Sequence, residues 1–117
     1  GITFMYGVKS YIESILRDLL DNAIKFQAPA HRGLITITAD HVERHTILTV
    51  TDNGIGIDLD HYGDKLFKFY TRMNTNFSGK GLGLYRVKTH TDAMNGEISV
   101  NSALNEGSTF RISIPDQ

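Results

Sequence analysis

Asp18, Asn22 and Lys25 are three residues whose types and spacing could do chemistry. Residues three and four apart are neighbours on a helix surface, so in a helix all three project along one border. Ile15, Leu19 and Phe26 share one direction on the same helix, and Ile12, Leu16, Leu20 and Ala23 widen that apolar arc. Asn22 falls at the edge of the arc and not on its wet side. A half-buried amide needs a partner. An acid, an amide and a lysine at such an edge point to a polar ligand, a metal ion with phosphates being the simplest. A solvated helix flank is the alternative, and it suits Lys25 best.

A second carboxylate is out of place in the same way. Leu48, Val50 and Asp52 alternate onto one face of a strand, which puts Asp52 in line with core residues. Asn53-Gly54-Ile55-Gly56-Ile57 follows, a glycine-paired turn that lets another group approach the backbone closely. A plain Asp-Asn-Gly turn that ends a strand explains these residues equally well. Further on, Gly79-Lys80-Gly81-Leu82-Gly83-Leu84 opens a helix. Exposed amides and the positive end of the helix dipole make an anion site there. It is not a dinucleotide fingerprint, because no strand directly precedes it and no βαβ unit surrounds it.

These groups need elements to hold them. Ser10 and Glu13 have capping-box spacing and predict a helix from Ser10 to about Gln27, closed before Pro29. Residues 2–6 read as a short edge strand. Leu34 to Asp40 and Thr46 to Asp52 are rich in β-branched residues and form an antiparallel pair joined through His41–His45. Leu66, Phe67, Phe69 and Tyr70 make a hydrophobic plug, and Thr71 to Ser78 reads as a mobile loop. A second helix runs to about Asn95, with Leu84, Val87, Thr91 and Met94 on one face and Gly96 ending it. Glu97–Ser102 and Ser108–Pro115 form a hairpin turned at Asn105-Glu106-Gly107. The order helix, hairpin, loop, helix, hairpin predicts an α/β two-layer sandwich. Its sheet is mixed and mostly antiparallel, with the helices on one face.

Composition narrows the function. A chain of 117 residues is one domain, and 40% apolar with 21% charged residues is ordinary for a soluble one. There is no cysteine, which excludes a disulfide framework and a thiolate metal site and fits a reducing, cytoplasmic setting. No apolar run is long enough to span a membrane, and no signal-peptide pattern opens the sequence. The net charge of −1, without a basic cluster, argues against nucleic acid as a partner. The abrupt apolar start is that of a domain cut from a longer protein.

Taken in order, an Asn-bearing helix, an Asp-x-Gly-x-Gly turn, a loop, a Gly-x-Gly-x-Gly helix start and a Gly-Ser-Thr-Phe strand resemble one family. It is the ATP-binding domain of two-component sensor histidine kinases, within the superfamily shared with gyrase, MutL and a heat-shock chaperone; its ATP-binding domain has the Bergerat-type fold. The resemblance covers Tyr6 to Pro115. It implies that Asn22 gives an amide oxygen to Mg²⁺ and that Asp52 accepts from the adenine amino group, supported by Thr109. Phe26 and Ile57 would line the adenine slot beside Gly54 and Gly56. Lys25, Arg72 and Lys80 would face the phosphates, the last two on or beside a lid. Gly79, Gly81 and Gly83, with Leu82 and Leu84, would bring the backbone to them. The implied partners are a histidine on a separate dimerisation domain and, downstream, a response regulator. Direct membrane contact by this domain is not implied, although the parent protein can be membrane-anchored.

Two residues depart from the family pattern. Asparagine is usual where this chain has Asp18, and Glu or Gln where it has Ser14. Hydrolytic members carry a water-activating glutamate four residues before the metal-binding asparagine. Asp18 stands at that spacing, which leaves an ATP hydrolase open as an alternative. Asp18 bound to a Mg²⁺ water or paired with Lys25 is the other reading of that residue. A degenerate nucleotide-sensing module and an anti-sigma type serine kinase are further alternatives. His31, His41, His45, His61 and His90 are followed by Arg, Val, Thr, Tyr and Thr. None has the acidic follower usual for a phosphoacceptor.

Overall fold

The computed structural model describes residues 6–29, 32–68 and 82–117. Helix α1 (Tyr6–Lys25) leads to a hairpin of β1 (Ile35–Val42) and β2 (His45–Asp52). A short helix α2 (Leu59–Tyr62) and a 3₁₀ turn (Gly63–Lys65) follow. Helix α3 (Gly83–Ala93) then precedes a second hairpin of β3 (Glu97–Ala103) and β4 (Gly107–Pro115). The strand order is β1-β2-β4-β3, and all three pairings are antiparallel. The two-layer sandwich expected from the sequence is therefore present, with no parallel pair among the described residues. The edge strand read at residues 2–6 lies outside those residues up to Tyr6, which is helical. The loop read at Thr71 to Ser78 and the plug residues Phe69 and Tyr70 also lie outside them.

Burial accounts for the helix boundaries. Helix α1 starts at Tyr6, four residues before the Ser10 cap expected from the capping box. Val8 is buried, and Val8, Ile12, Ile15, Leu19 and Ala23 continue one stripe at helical spacing. Extending the helix buries Val8, which outweighs a cap. Helix α3 buries Leu84, Val87 and Thr91 on its inner face. The Thr91 hydroxyl stays satisfied by donating to the Val87 carbonyl at 2.7 Å. The left-handed residue that ends α3 is Asn95 (φ 59°), one position before the expected Gly96.

Alternation does the same for the sheet. Leu48 and Val50 of β2 pair across with Ile112 and Phe110 of β4, on the face that meets the helices. Phe110, Ile112 and Ile114 are each at most 2% exposed. Phe67 packs edge-on against Phe110, with centroids 6.4 Å apart. The β1–β2 turn holds Glu43 and Arg44 at φ 49° and 65°. Two left-handed residues match the right-handed twist of a hairpin.

Candidate functional site

Helix α1 presents its chemistry along the border between its buried stripe and solvent. Asp18 is 5% exposed, Asn22 is half-buried and Lys25 is exposed. The partner of Asp18 is Arg86 of α3, not Lys25. Arg86 Nε donates to Oδ2 at 3.1 Å and Nη2 donates to Oδ1 at 2.7 Å. This is a planar, two-pronged pair in which both carboxylate oxygens accept from one guanidinium. The Arg86 guanidinium is held more firmly protonated than usual, chiefly by these bonds to Asp18; burial opposes this, and the charges of Asp18 and Asp21 add to it. Gly83, at the start of α3, faces the same carboxylate: a Cβ there would stand 3.8 Å from Asp18 Oδ1. The end of the glycine run and the middle of α1 therefore meet at Asp18.

Asp52 lies at the end of β2 and is held quite differently. It is 8% exposed, on the helix-facing side of the sheet, as alternation with Leu48 and Val50 requires. Its Oδ1 accepts the Gly54 N–H at 2.9 Å, and the carboxylate also accepts the Ser108 N–H. Burial pushes this carboxyl above its ordinary range, and the two amide bonds pull it partly back. Two amides leave lone pairs on a carboxylate for one more donor.

The loop after Asp52 is sewn in place by main chain. Ile55 N–H donates to the Phe26 carbonyl at 2.9 Å, and Asn105 N–H donates to the Ile55 carbonyl at 2.8 Å. Gly56 (φ 74°) passes so close to the Ala103 carbonyl that a Cβ has no room. Gly107 (φ 91°) is equally confined against the Asp52 carbonyl. Ile57 is buried, and its N–H donates to Ser102 Oγ at 2.7 Å. Ser102 spends its own proton on the Gly107 carbonyl at 2.8 Å and so accepts from Ser108 Oγ at 2.7 Å.

Thr109, expected to support the Asp52 contact through water, lines one cleft with Asp52 and makes its own hydrogen bond elsewhere. It lies on the outer face of the sheet, opposite Thr51, and its hydroxyl donates to the Thr51 hydroxyl at 3.2 Å. The residue across from Asp52 is Ser108, buried at 6%. Sequence reasoning missed Ser108, Ser102 and Arg86. A signal for Ser108 existed: Phe110, Ile112 and Ile114 point inward, so the residue two before Phe110 must too. Arg72, Gly79, Lys80 and Gly81 lie outside the described residues. Leu82 is half-buried, and Leu84 is buried in the core.

Among the described residues, no group of three or more His, Asp or Glu side chains is placed to hold a metal. A hard ion such as Mg²⁺ takes only one or two protein oxygens and completes its shell with water and phosphate, so it needs no such group. Asn22 is the residue on α1 that would hold it. Near the ends of β2, β3 and β4 an open cleft of about 380 Å³ is lined by Thr51, Asp52, Ser102, Ser108 and Thr109. Neither Asn22 nor Phe26 lines it.

Comparison with known proteins fixes the relationship. Residues 7–117 match the family described as histidine kinase-, DNA gyrase B-, and HSP90-like ATPase. This chain belongs to that family. The ATPase domain is 36% identical over 115 residues to cyanobacterial phytochrome A of Nostoc sp., covering 97% of this chain and 15% of that protein. It is 34% identical over 119 residues to the sensor histidine kinase RppB of Synechocystis sp., covering 98% of this chain and 26% of that protein. Among solved structures, the mycobacterial sensor histidine kinase MprB superposes with a TM-score of 0.78 at 26% identity, over 92% of this chain and 74% of that one. Full-length ShkA in complex with AMPPNP superposes with a TM-score of 0.75 at 28% identity, over 90% of this chain and 21% of that one. The chain thus spans about a quarter or less of the curated relatives it matches. Among the described residues no helix is long and apolar enough to cross a membrane.

Proposed function

We propose that this domain binds Mg-ATP and presents the γ-phosphate to a histidine on a separate dimerisation domain of a sensor kinase. The observation that carries this reading is Asp52, a buried carboxylate held by two backbone amides with acceptor capacity to spare. A neutral amino group on a flat ring, such as adenine N6, is the donor that suits it. Phe26 and Ile57 flank the loop that carries it and would line the ring.

From Asp52 the nucleotide would run toward α1 and the start of α3. Asn22 would give its amide oxygen to Mg²⁺, which neutralises phosphate charge when bound. Lys25 lies one turn further along α1 and would face the same charge. The N-terminal amides of α3, ahead of Gly83, would accept the anionic end. Arg72, Gly79, Lys80 and Gly81 would complete the phosphate contacts, as the family resemblance implies. In the transfer itself, an imidazole nitrogen of the acceptor attacks the γ-phosphorus. The bond to the β–γ bridging oxygen breaks, and ADP leaves with that electron pair. Such transfer rests on positioning and charge neutralisation more than on a strong base. None of the five histidines is followed by the acidic residue usual for an acceptor. His41 pairs with Asp116, His45 with the Glu43 carbonyl, and His90 stacks on Tyr11 between α1 and α3. The acceptor would belong to another domain, and the response regulator would take the phosphoryl group from there.

The test is calorimetry with the non-hydrolysable analogue AMPPNP, with and without Mg²⁺. Binding should need Mg²⁺ for full strength, and Asn22→Ala should remove that dependence. Absence of binding by the parent, or an Asn22→Ala variant that titrates like the parent, would sink the reading.

A further inference from the structure

We propose that Arg86 is a positioning residue that silences Asp18, so that the bound nucleotide is kept for phosphoryl transfer and not spent on water. The proposal rests on the reading of Asn22 as the metal-binding residue and asks what its neighbour one turn away does. Asp18 lies four residues before Asn22, about 6 Å along the helix axis. It is a buried carboxylate on the border that faces the start of α3. A free carboxylate there could take a proton from a water next to the γ-phosphate. The water oxygen would then form a bond to the γ-phosphorus as the bond to the bridging oxygen breaks. ADP would leave with that electron pair, inorganic phosphate would carry the water oxygen, and the proton on Asp18 would pass to solvent.

Arg86 removes that possibility by geometry. Its Nε and Nη2 each occupy one oxygen of Asp18, at 3.1 and 2.7 Å. With both oxygens turned to the guanidinium, neither is aimed at a water, and taking a proton from one would require breaking a charge-assisted bond. The ion pair has a second effect. Arg86 sits in the first turn of α3 and Asp18 in the middle of α1, so the pair fixes the separation of the two elements that would bracket the phosphates. Arg86 is itself about half exposed, with a side-chain exposure of 49%, so water can reach the pair from the open side once the guanidinium is gone.

The experiment measures steady-state ATP hydrolysis and, separately, AMPPNP binding for the parent, Arg86→Gln, Arg86→Lys and Asp18→Asn/Arg86→Gln. Hydrolysis by Arg86→Gln should rise about a hundredfold in kcat, the low end for a gained general base. KM and AMPPNP affinity should stay within about threefold of the parent, the range left when no phosphate contact is lost. Arg86→Lys keeps the charge but cannot grip both oxygens, so its rate should fall between the two. Adding Asp18→Asn should return Arg86→Gln to the parental rate, which a purely structural role would not produce. Unchanged or lower hydrolysis in both single Arg86 variants, with nucleotide still bound, overturns the proposal. So does a large loss of AMPPNP affinity without a rise in hydrolysis, which would make Arg86 a phosphate ligand. If Arg86→Gln does not fold, Arg86→Lys decides alone. A parent that binds no nucleotide would count against the proposed function, and with it against this inference.

Discussion

Asp18 and Asp52 are both buried carboxylates on the site side of the fold, yet they are made harmless in opposite ways. Asp52 is held by two neutral backbone amides, which stabilise its charge without cancelling it. Asp18 is held by a full positive charge on both oxygens. The difference decides what each can do next. A carboxylate in a cradle of dipoles still attracts a donor and can recognise one. A carboxylate in an ion pair has its charge neutralised and both oxygens turned to the guanidinium, and it ties two helices together. Residue type alone would have given both the same role.

The largest effect expected from breaking this contrast is at the cradle. Asp52→Ala removes the acceptor for the base and should weaken AMPPNP binding at least about a hundredfold, the scale of a lost charged hydrogen bond. Calorimetry that finds less than a threefold loss would place the base elsewhere. At the other carboxylate the effect falls on stability. Arg86→Ala strands Asp18 without its partner and should lower urea stability by about 2 kcal/mol, moderated by water entering from the exposed side. Asp18→Leu/Arg86→Leu removes both charges and should melt close to the parent, because an apolar pair needs no compensation. A double variant as weak as Arg86→Ala would mean that the helices depend on the ion pair itself.

Smaller effects sharpen the cradle. Ser108→Ala leaves the amide bond to Asp52 but takes a hydroxyl from the Ser102 network, and should cost about 1 kcal/mol of stability in denaturant unfolding. Thr109→Val, on the other face, should leave AMPPNP affinity within about twofold, since a single neutral hydroxyl pair at 3.2 Å contributes little. Equal effects of the two on binding would contradict the register. The smallest effect is on pH dependence. Burial raises the Asp52 carboxyl above its ordinary value. The folded protein then binds that proton more tightly than the unfolded chain does. Stability from this group is full below about pH 4 and falls as pH climbs through the raised value. Asp52→Asn removes the term, so its melting temperature relative to the parent should rise across that window and stay higher at neutral pH. A variant that loses ground instead would show that the cradle prefers charge.

How far these features were legible follows from the range of the signal. Asp52 could be placed because Leu48 and Val50 precede it in the same strand, and a period of two carries over. The same rule would have chosen Ser108 over Thr109, but there the short motif was read in place of the alternation. The start of α1 was misplaced because a capping box is a local pattern, while the burial of Val8 against the core is not. Arg86 was invisible as a partner: 68 residues separate it from Asp18, and nothing near either residue announces the other. The two-layer fold was readable because each hairpin and helix carries its own periodicity. Pairings that cross from one layer to the other become readable only once the chain is folded.

The loop that follows Asp52 is held largely by main chain. The Phe26 carbonyl, the Ile55 amide and carbonyl and the Ala103 carbonyl meet there, with Gly54, Gly56 and Gly107 confined against backbone. Point mutation exchanges side chains and leaves carbonyls where they are. An inhibitor shaped to the course these backbone bonds impose on the loop would meet a target with few ways to evade it. Selection for resistance should then recover changes at Phe26, which is only half-buried, before Ile57, which is buried in the core, and not at the three glycines.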